Sequence, residues 1–492
     1  MNKSDLLPCS QQPKCVGYLQ KAKIFLKKLF SFIGPGYMVA VGYMDPGNWA
    51  TDLSGGSQFG YTLLFVILLS NVMAVLLQSL CIRLGVVTGC DLAQMCRKCY
   101  SRPVNLALYV LCEIAIVACD LAEVIGSAIA LEILFKIPLP YGVLITTLDV
   151  FLILLANRND SAMANRFFEC FIILLVGGVG ACFVIQLVYV KPDFGQVMVG
   201  YLPSAPLFTN SEVLYVAIGI VGATVMPHNL YLHSHIVKLR SPNSDKKNER
   251  TQEDLVLSVK SALSFSVIDC VFALTFALFV NSAILIVAAA AFHYRENNST
   301  QVEVADLFDA HKLLSDYLGP IAGTSFALAL LLAGQSSTIT ATMAGQIVME
   351  GFLGLTMRPW LRRLITRAFA IVPAMVVAIV AGSKGLNEVL IASQVILSLQ
   401  LPFAVIPLVL FTSSKTVMQL PPQQTDIRME SVSCEEIKND SDDEVSLENE
   451  APVKLNVDFT ISTPMKIVTW IVAIIIVLLN VFLLVQVARG QV

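Results

Sequence analysis

Gly34-Pro35-Gly36-Tyr37-Met38-Val39-Ala40-Val41-Gly42-Tyr43-Met44-Asp45-Pro46-Gly47-Asn48 lies inside an apolar segment, about 31–53, long enough to enter a bilayer. Near its middle stand a carboxylate, a proline, a glycine and a carboxamide in succession. Proline removes a backbone donor and glycine weakens a helix. In hydrocarbon an unpaired backbone group costs several kcal/mol, so such a break survives only inside protein or against a wet cavity. An ionisable residue at that depth is by default a functional-site candidate. Taken alone, the segment also reads as a proline kink with a snorkelling aspartate.

The rest of the 492-residue chain fits a membrane setting. It is 56% hydrophobic and 14% charged, against roughly 25% charged residues in soluble domains, and its mean hydropathy is +0.71. Apolar runs near the spanning length of about 20 residues recur along it. They lie near 31–53, 61–84, 104–135, 140–157, 167–190, 212–238, 260–291, 319–350, 366–382, 387–411 and 466–488. The expectation is an all-α polytopic membrane protein of eleven spans. No basic tract with interleaved aromatics points to nucleic acid, and the polar, basic first thirty residues lack the apolar core of a cleavable signal. Cys96 and Cys99 form a lone pair without a second half, so neither zinc nor disulfide chemistry is expected.

Basic flanks orient the spans. Lys21, Lys23, Lys27 and Lys28 precede the first; Arg97, Lys98 and Arg102 follow the second; Arg158 and Arg166 follow the fourth. Lys238, Arg240, Lys246, Lys247 and Arg250 follow the sixth, and Arg358, Arg362 and Arg363 follow the eighth. All fall on one side, which predicts a cytosolic N-terminus and an outer C-terminus. The overlapping glycosylation sequons at Asn297 and Asn298 fall on the predicted outer face. Neither feature distinguishes the plasma membrane from an endosomal or vacuolar one. The predicted division is a cytosolic tail (1–30), a core (31–411), an acidic, disordered cytosolic loop (412–465) and an appended eleventh span (466–488).

The sixth span repeats the oddity of the first. Gly222-Ala223-Thr224-Val225-Met226-Pro227-His228-Asn229 interrupts another apolar helix with a proline. Spans one to five and six to ten then form two repeats, about 31–190 and 212–411, each opening on a broken helix. An odd number of spans per repeat inverts the second copy, the layout of transporters that bind substrate between two broken helices. Asp45 and Asn48 offer hard oxygens, the unwound turn near Ala223 a carbonyl, and Met226 a soft sulfur. That mixture disfavours magnesium and calcium and suits manganese, ferrous iron and softer ions such as cadmium or cobalt. Gln78 and Gln394 are candidates to complete coordination on closure; Gln400 shares the tenth span.

Further polar groups cluster at the same depth. Glu113, Asp120 and Glu123, seven and three residues apart, share a face of the third span. Arg240, Arg363 and Arg367 are candidate counter-charges, and His228 can titrate near neutral pH. Together they suggest a proton route from His228 and Asp45 through Glu123 and Asp120 to the arginines. A salt-bridge network that merely holds helices together is the alternative. The hydroxyl-rich run Gly334 to Glu350 reads mostly as close helix packing, with a gating role as the alternative.

Three motifs carry a family resemblance: Asp45-Pro46-Gly47-Asn48, Met226-Pro227-His228-Asn229-Leu230-Tyr231-Leu232-His233, and Gly334-Gln335-Ser336-Ser337-Thr338 with Gly345-Gln346. From about Gly34 to Met418 the chain resembles the natural-resistance-associated macrophage proteins, proton-coupled divalent metal transporters. The resemblance implies a LeuT-like fold, Asp45, Asn48, Ala223 and Met226 as metal ligands, and His228, Glu123, Asp120 and Arg240 in proton movement; His233 matches a motif histidine without a firm role. Cys119 stands where a threonine is usual and Ala341 where a glycine is common. Neither is expected to touch a ligand, so selectivity should be little affected. Met226 argues against the magnesium-importing branch.

The resulting expectation is a secondary transporter of Mn2+ or Fe2+ with protons toward the cytosol, by alternating access, with the metal as cargo, no cofactor, and a monomeric transport unit in the lipid bilayer. A sodium-coupled amino-acid transporter on the same fold is a rival, but Asp45 would repel a substrate carboxylate. A non-transporting metal sensor is another, though it should carry a large folded cytosolic domain. No nucleophile–base constellation or nucleotide motif suggests an enzyme.

Overall fold

The computed structural model describes residues 34–146, 162–239, 252–294, 307–355, 358–380, 382–419 and 457–489. The described residues are nearly all helical. Its helices are α1 (Pro35–Ala40), α2 (Pro46–Phe59), α3 (Leu64–Thr88), α4 (Leu92–Cys99), α5 (Arg102–Phe135), α6 (Leu139–Ile145), α7 (Ala162–Val190), α8 (Phe194–Gly200), α9 (Pro206–Thr209), α10 (Ser211–Thr224), α11 (Pro227–Lys238), α12 (Gln252–Ala288), α13 (Leu307–Leu318), α14 (Pro320–Leu353), α15 (Pro359–Val380), α16 (Gly382–Ser413) and α17 (Thr463–Ala488). Nine runs among the described residues are long and apolar enough to cross a membrane, with α2 and α3 counted in one.

Both expected breaks are present, and after each a proline opens the next helix. A 3-10 turn, Val41–Met44, leads from α1 to Asp45, whose extended backbone caps α2, with Pro46 in the first helical turn. In the sixth span α10 ends at Thr224, Val225 and Met226 leave helical geometry, and Pro227 opens α11. Proline suits a first-turn position because the amide it lacks has no intrahelical partner there, and its fixed φ already matches the helix.

Packing places the two breaks in the middle of the bundle. The long α5 lies along α14, α15 and α16, and α16 also runs along α2 and α10. A Cβ on Gly126 of α5 would collide with the Pro46 ring, and one on Gly222 would collide with the Gln394 carbonyl. Small residues therefore let α5 and α16 approach the unwound turns, the usual device where lipid supplies no hydrophobic drive between helices. Gly60, at φ 62, turns the chain between α2 and α3, a left-handed conformation that a side chain would strain.

Both ends of the expected acidic loop, 412–465, carry structure among the described residues. Gln419 and Asp458 form an antiparallel bridge; Phe459 N donates to Met418 O, and Ile461 N to Thr412 O. Arg83 Nη1 donates to the carbonyls of Phe459 (3.0 Å) and Thr460 (3.4 Å). The alternation Val457, Phe459, Ile461 marks an extended segment with one buried face, a signal overlooked beside the acidic composition. The 1–30 tail, the second half of the fourth span, Arg240, Asn297, Asn298 and residues 420–456 lie outside the described residues.

Candidate metal site and carboxylate network

The first break frees backbone carbonyls, and side chains take most of them up. Trp49 Nε1 donates to Met44 O at 3.1 Å, and Asn281 Nδ2 donates to Tyr43 O at 2.8 Å. Trp49 is itself fully buried between Phe183 and Phe326, edge-on to both. These contacts hold the unwound turn in one shape, as buried backbone polar groups require. Neither Trp49 nor Asn281 stood out in the sequence, because an aromatic and an amide in apolar spans carry no spacing signal.

What remains converges on one point. Asp45 Oδ1 accepts from Asn48 N at 2.8 Å and from Asn48 Nδ2 at 2.7 Å. The same Nδ2 reaches Ala223 O across the second break at 3.1 Å, and Gly42 O at 3.4 Å. One carboxamide thus ties Asp45 to Ala223, which lies 175 residues beyond Asn48 in the sequence. Met226 is buried; Asn229 Nδ2 contacts its sulfur at 3.6 Å. Gln394 packs against Gly47, where a Cβ would collide with its amide; Gln394 Nε2 donates to Ser393 Oγ, and its buried Oε1 has no hydrogen-bond partner among the described residues. Gln78 is differently engaged. Its Nε2 donates to Tyr43 Oη, and its Oε1 meets His233 Nδ1 at 2.8 Å.

Cys119 overturns one expectation. Its Sγ lies 3.8 Å from Asp45 Oδ2 and 3.6 Å from Glu123 Oε1, and it packs in one buried cluster with Met226. Residue 119 stands four before 123, so it shares the face that carries Glu123. A thiol therefore bridges the candidate metal carboxylate and the third-span network, and the departure from threonine does touch a candidate ligand.

Beyond Cys119 the network is dense. Glu123 Oε1 accepts from Ser337 Oγ at 2.6 Å and Oε2 from Thr338 Oγ1 at 2.9 Å, so part of the hydroxyl-rich run in α14 binds a carboxylate and does more than pack. Arg363 Nη1 meets Asp120 Oδ1 at 2.6 Å, and Arg363 Nη2 lies 3.7 Å from Glu123. Arg367 lies 3.6 Å from Asp120 and 3.8 Å from Glu123, and donates to Thr146 O. All four charged side chains are buried. Glu113 stands apart from them, paired with Arg362 at 2.7 Å. His228 is buried on the first turn of α11, and its Nδ1 has no hydrogen-bond partner among the described residues.

A third polar cluster, absent from the sequence reading, joins α4 to the end of α11. Asp91 caps α4 in a capping box with Gln94 and takes His235 at 3.0 Å and Lys238 at 3.2 Å. Burial alone would raise the Asp91 carboxyl; hydrogen bonds from His235 and Gln94 and the charge of Lys238 outweigh it and hold the group low.

The profile of the natural resistance-associated macrophage protein-like family matches residues 36–421. The chain belongs to this family. It is 56% identical over 397 residues to the divalent metal cation transporter MntH of Nostoc, covering 80% of this chain and 85% of that one. It is 48% identical over 461 residues to MntH of Listeria monocytogenes, covering 94% and 90%. A crystal structure of the Eremococcus coleocola manganese transporter superposes with a TM-score of 0.76 at 37% identity, over 93% of this chain and 87% of the other. Mhp1, a nucleobase-cation-symport-1 transporter, matches at TM-score 0.51 and 16% identity over 76% and 77%, a likeness of fold alone. This natural resistance-associated macrophage protein-like chain is thus a multi-pass membrane protein with the LeuT-like architecture its two broken helices announced.

Proposed function

We propose that the chain carries divalent transition-metal ions across a membrane toward the cytosol by alternating access, together with protons moving in the same direction. The observation that carries this reading is the Asn48 carboxamide, which joins Asp45 to the Ala223 carbonyl across two helix breaks, with the Met226 sulfur buried beside them. In this cage a cation would take the place of the amide hydrogens, and a half-turn of the Asn48 carboxamide would present its oxygen instead. Asp45, Asn48, Ala223 and Met226 would then offer three hard donors and one soft one. This set favours Mn2+ and Fe2+, admits Cd2+ and Co2+, and serves Mg2+ and Ca2+ poorly.

No group of three or more His, Cys, Asp or Glu with metal-holding geometry occurs among the described residues. A single carboxylate suits cargo, since conduction needs binding weak enough to release. Gln394, already against Gly47 with an unpartnered oxygen among the described residues, would join the cage on closure. Gln78 can do so only by giving up His233.

Protons would use the buried groups Asp45, Cys119, Glu123 and Asp120, with Arg363 and Arg367 as the counter-charges that hold the carboxylates, His228, two residues after Met226, as the first relay and Arg240 at the far end of the sixth span. Glu113, paired with Arg362, would belong to the same route as a further carboxylate. The N-terminus would be cytosolic and a single chain the transport unit. A sodium-coupled amino-acid carrier fits the cage less well, because a zwitterion gains nothing from a thioether.

The experiment is reconstitution in liposomes with Mn2+ uptake and internal pH followed together. Mn2+ uptake with internal acidification under an inward acid gradient is expected. No metal flux would sink the transporter reading; metal flux without acidification would remove the proton coupling alone.

A further inference from the structure

At the end of the bundle opposite Asp91, the turn between α2 and α3 meets α8 and the end of α12 around a cavity of about 410 Å3. That volume falls within the roughly 300–1,000 Å3 of small-molecule sites. Its walls are made of elements remote from the Asp45 cage, and nothing in the transport reading uses it.

Three features give the cavity a chemical character. Tyr61 and Tyr294 line it as a stacked pair, with ring centroids 4.8 Å apart and planes 26° from parallel. Tyr61 is buried, whereas Tyr294 is 45% exposed and offers its ring to an incoming group. Tyr294 follows directly on a π turn, Ala289–His293, an irregularity met often at functional sites. Among the described residues, Asp193 is the one charged side chain in the lining, with no Lys, Arg or His. Its Oδ1 caps α8 through Gly195 N, which leaves Oδ2 to a ligand. Ser204 Oγ, also in the lining, is buried without a hydrogen-bond partner among the described residues.

We infer that this cavity is a second binding site, for an organic monocation with a flat or apolar body. The stacked tyrosines would receive the body and the cationic face by cation–π attraction, Asp193 would balance the charge, and Ser204 Oγ would accept an N–H. A hydrated metal ion would find a single carboxylate and would gain little from the aromatic wall.

The test titrates benzamidinium into the full chain in lipid nanodiscs by calorimetry, with neutral benzamide as the charge control. Saturable binding of benzamidinium and none of benzamide is expected. Asp193→Asn keeps the α8 cap, because asparagine caps equally well, and removes only the charge. Asp193→Asn and Tyr294→Leu should each weaken binding about threefold to tenfold, the scale of one partly exposed cation–π or ion contact. Asp45→Asn should leave it unchanged. Absence of saturable binding overturns the inference, as does equal binding of benzamide. Loss in Asp45→Asn with Asp193→Asn unaffected overturns it too, since the amidinium would then occupy the metal cage.

Discussion

Replacing Arg363 with leucine leaves two buried carboxylates, Asp120 and Glu123, facing one guanidinium. In the intact protein Arg363 meets Asp120 at 2.6 Å and Glu123 at 3.7 Å, and all three side chains are almost wholly out of solvent. Removing one member of a buried pair costs about 3–5 kcal/mol, mostly because the other charge stays behind without compensation. Here Arg367 remains 3.6 Å from Asp120 and 3.8 Å from Glu123 and compensates part of it, so a loss near about 2–3 kcal/mol is expected. Asp120→Asn alone leaves two guanidiniums on Glu123 and should cost a similar amount. The double variant restores one cation to one anion, Arg367 with Glu123. Its loss should therefore fall short of the sum of the two single losses by about 2 kcal/mol, a coupling of the size met between contacting charges. Unfolding free energies in mixed SDS–detergent micelles measure all four corners of this cycle. Additive losses would refute the reasoning, because they would mean that Arg363 and Asp120 do not compensate each other.

Two further outcomes follow from contacts described above. Cys119→Val puts an apolar, somewhat larger side chain in place of the thiol and removes the link between Asp45 Oδ2 and Glu123 Oε1; metal uptake should persist while accompanying acidification falls, and Cys119→Ser should restore it. Unchanged proton flux in the valine variant would remove Cys119 from the relay. Asp91→Asn should destabilise the protein by about 1–2 kcal/mol, the loss of hydrogen bonds between charged groups. Because the folded Asp91 carboxyl is held low, its contribution is full above the unfolded value and is lost as pH falls through the folded one. The melting difference between wild type and Asp91→Asn should therefore be constant near neutrality and close below about pH 4. A difference that instead widened in acid would contradict the direction of the shift.

The sequence carried the fold well because breaks are expensive in a membrane. Pro46 and Pro227 in two otherwise apolar spans had few physical excuses, and both open helices at the first turn. Arg363 and Arg367 were legible as partners of Asp120 and Glu123 for the same reason: buried charge demands an opposite. Cheap contacts were not legible. Cys119 looked like a harmless substitution because a thiol in an apolar span signals nothing, and only its place one turn before Glu123 hinted otherwise. Ser337 and Thr338 read as packing since small hydroxyls serve both purposes. The latch of His235 and Lys238 on Asp91 joins residues over 140 positions apart, and no local pattern encodes such a pairing. The Phe459 and Ile461 contacts were masked by the acidic composition beside them.

The central claim is that Asp45, Asn48, the Ala223 carbonyl and Met226 surround one cation. Cadmium K-edge absorption on the purified, Cd2+-loaded protein tests it most directly, because sulfur and oxygen neighbours give separable shells. A mixed shell with one sulfur is predicted for the wild type, lost in Met226→Leu and retained in Cys119→Ser. An all-oxygen shell in the wild type, or a sulfur shell that survives Met226→Leu, would contradict it.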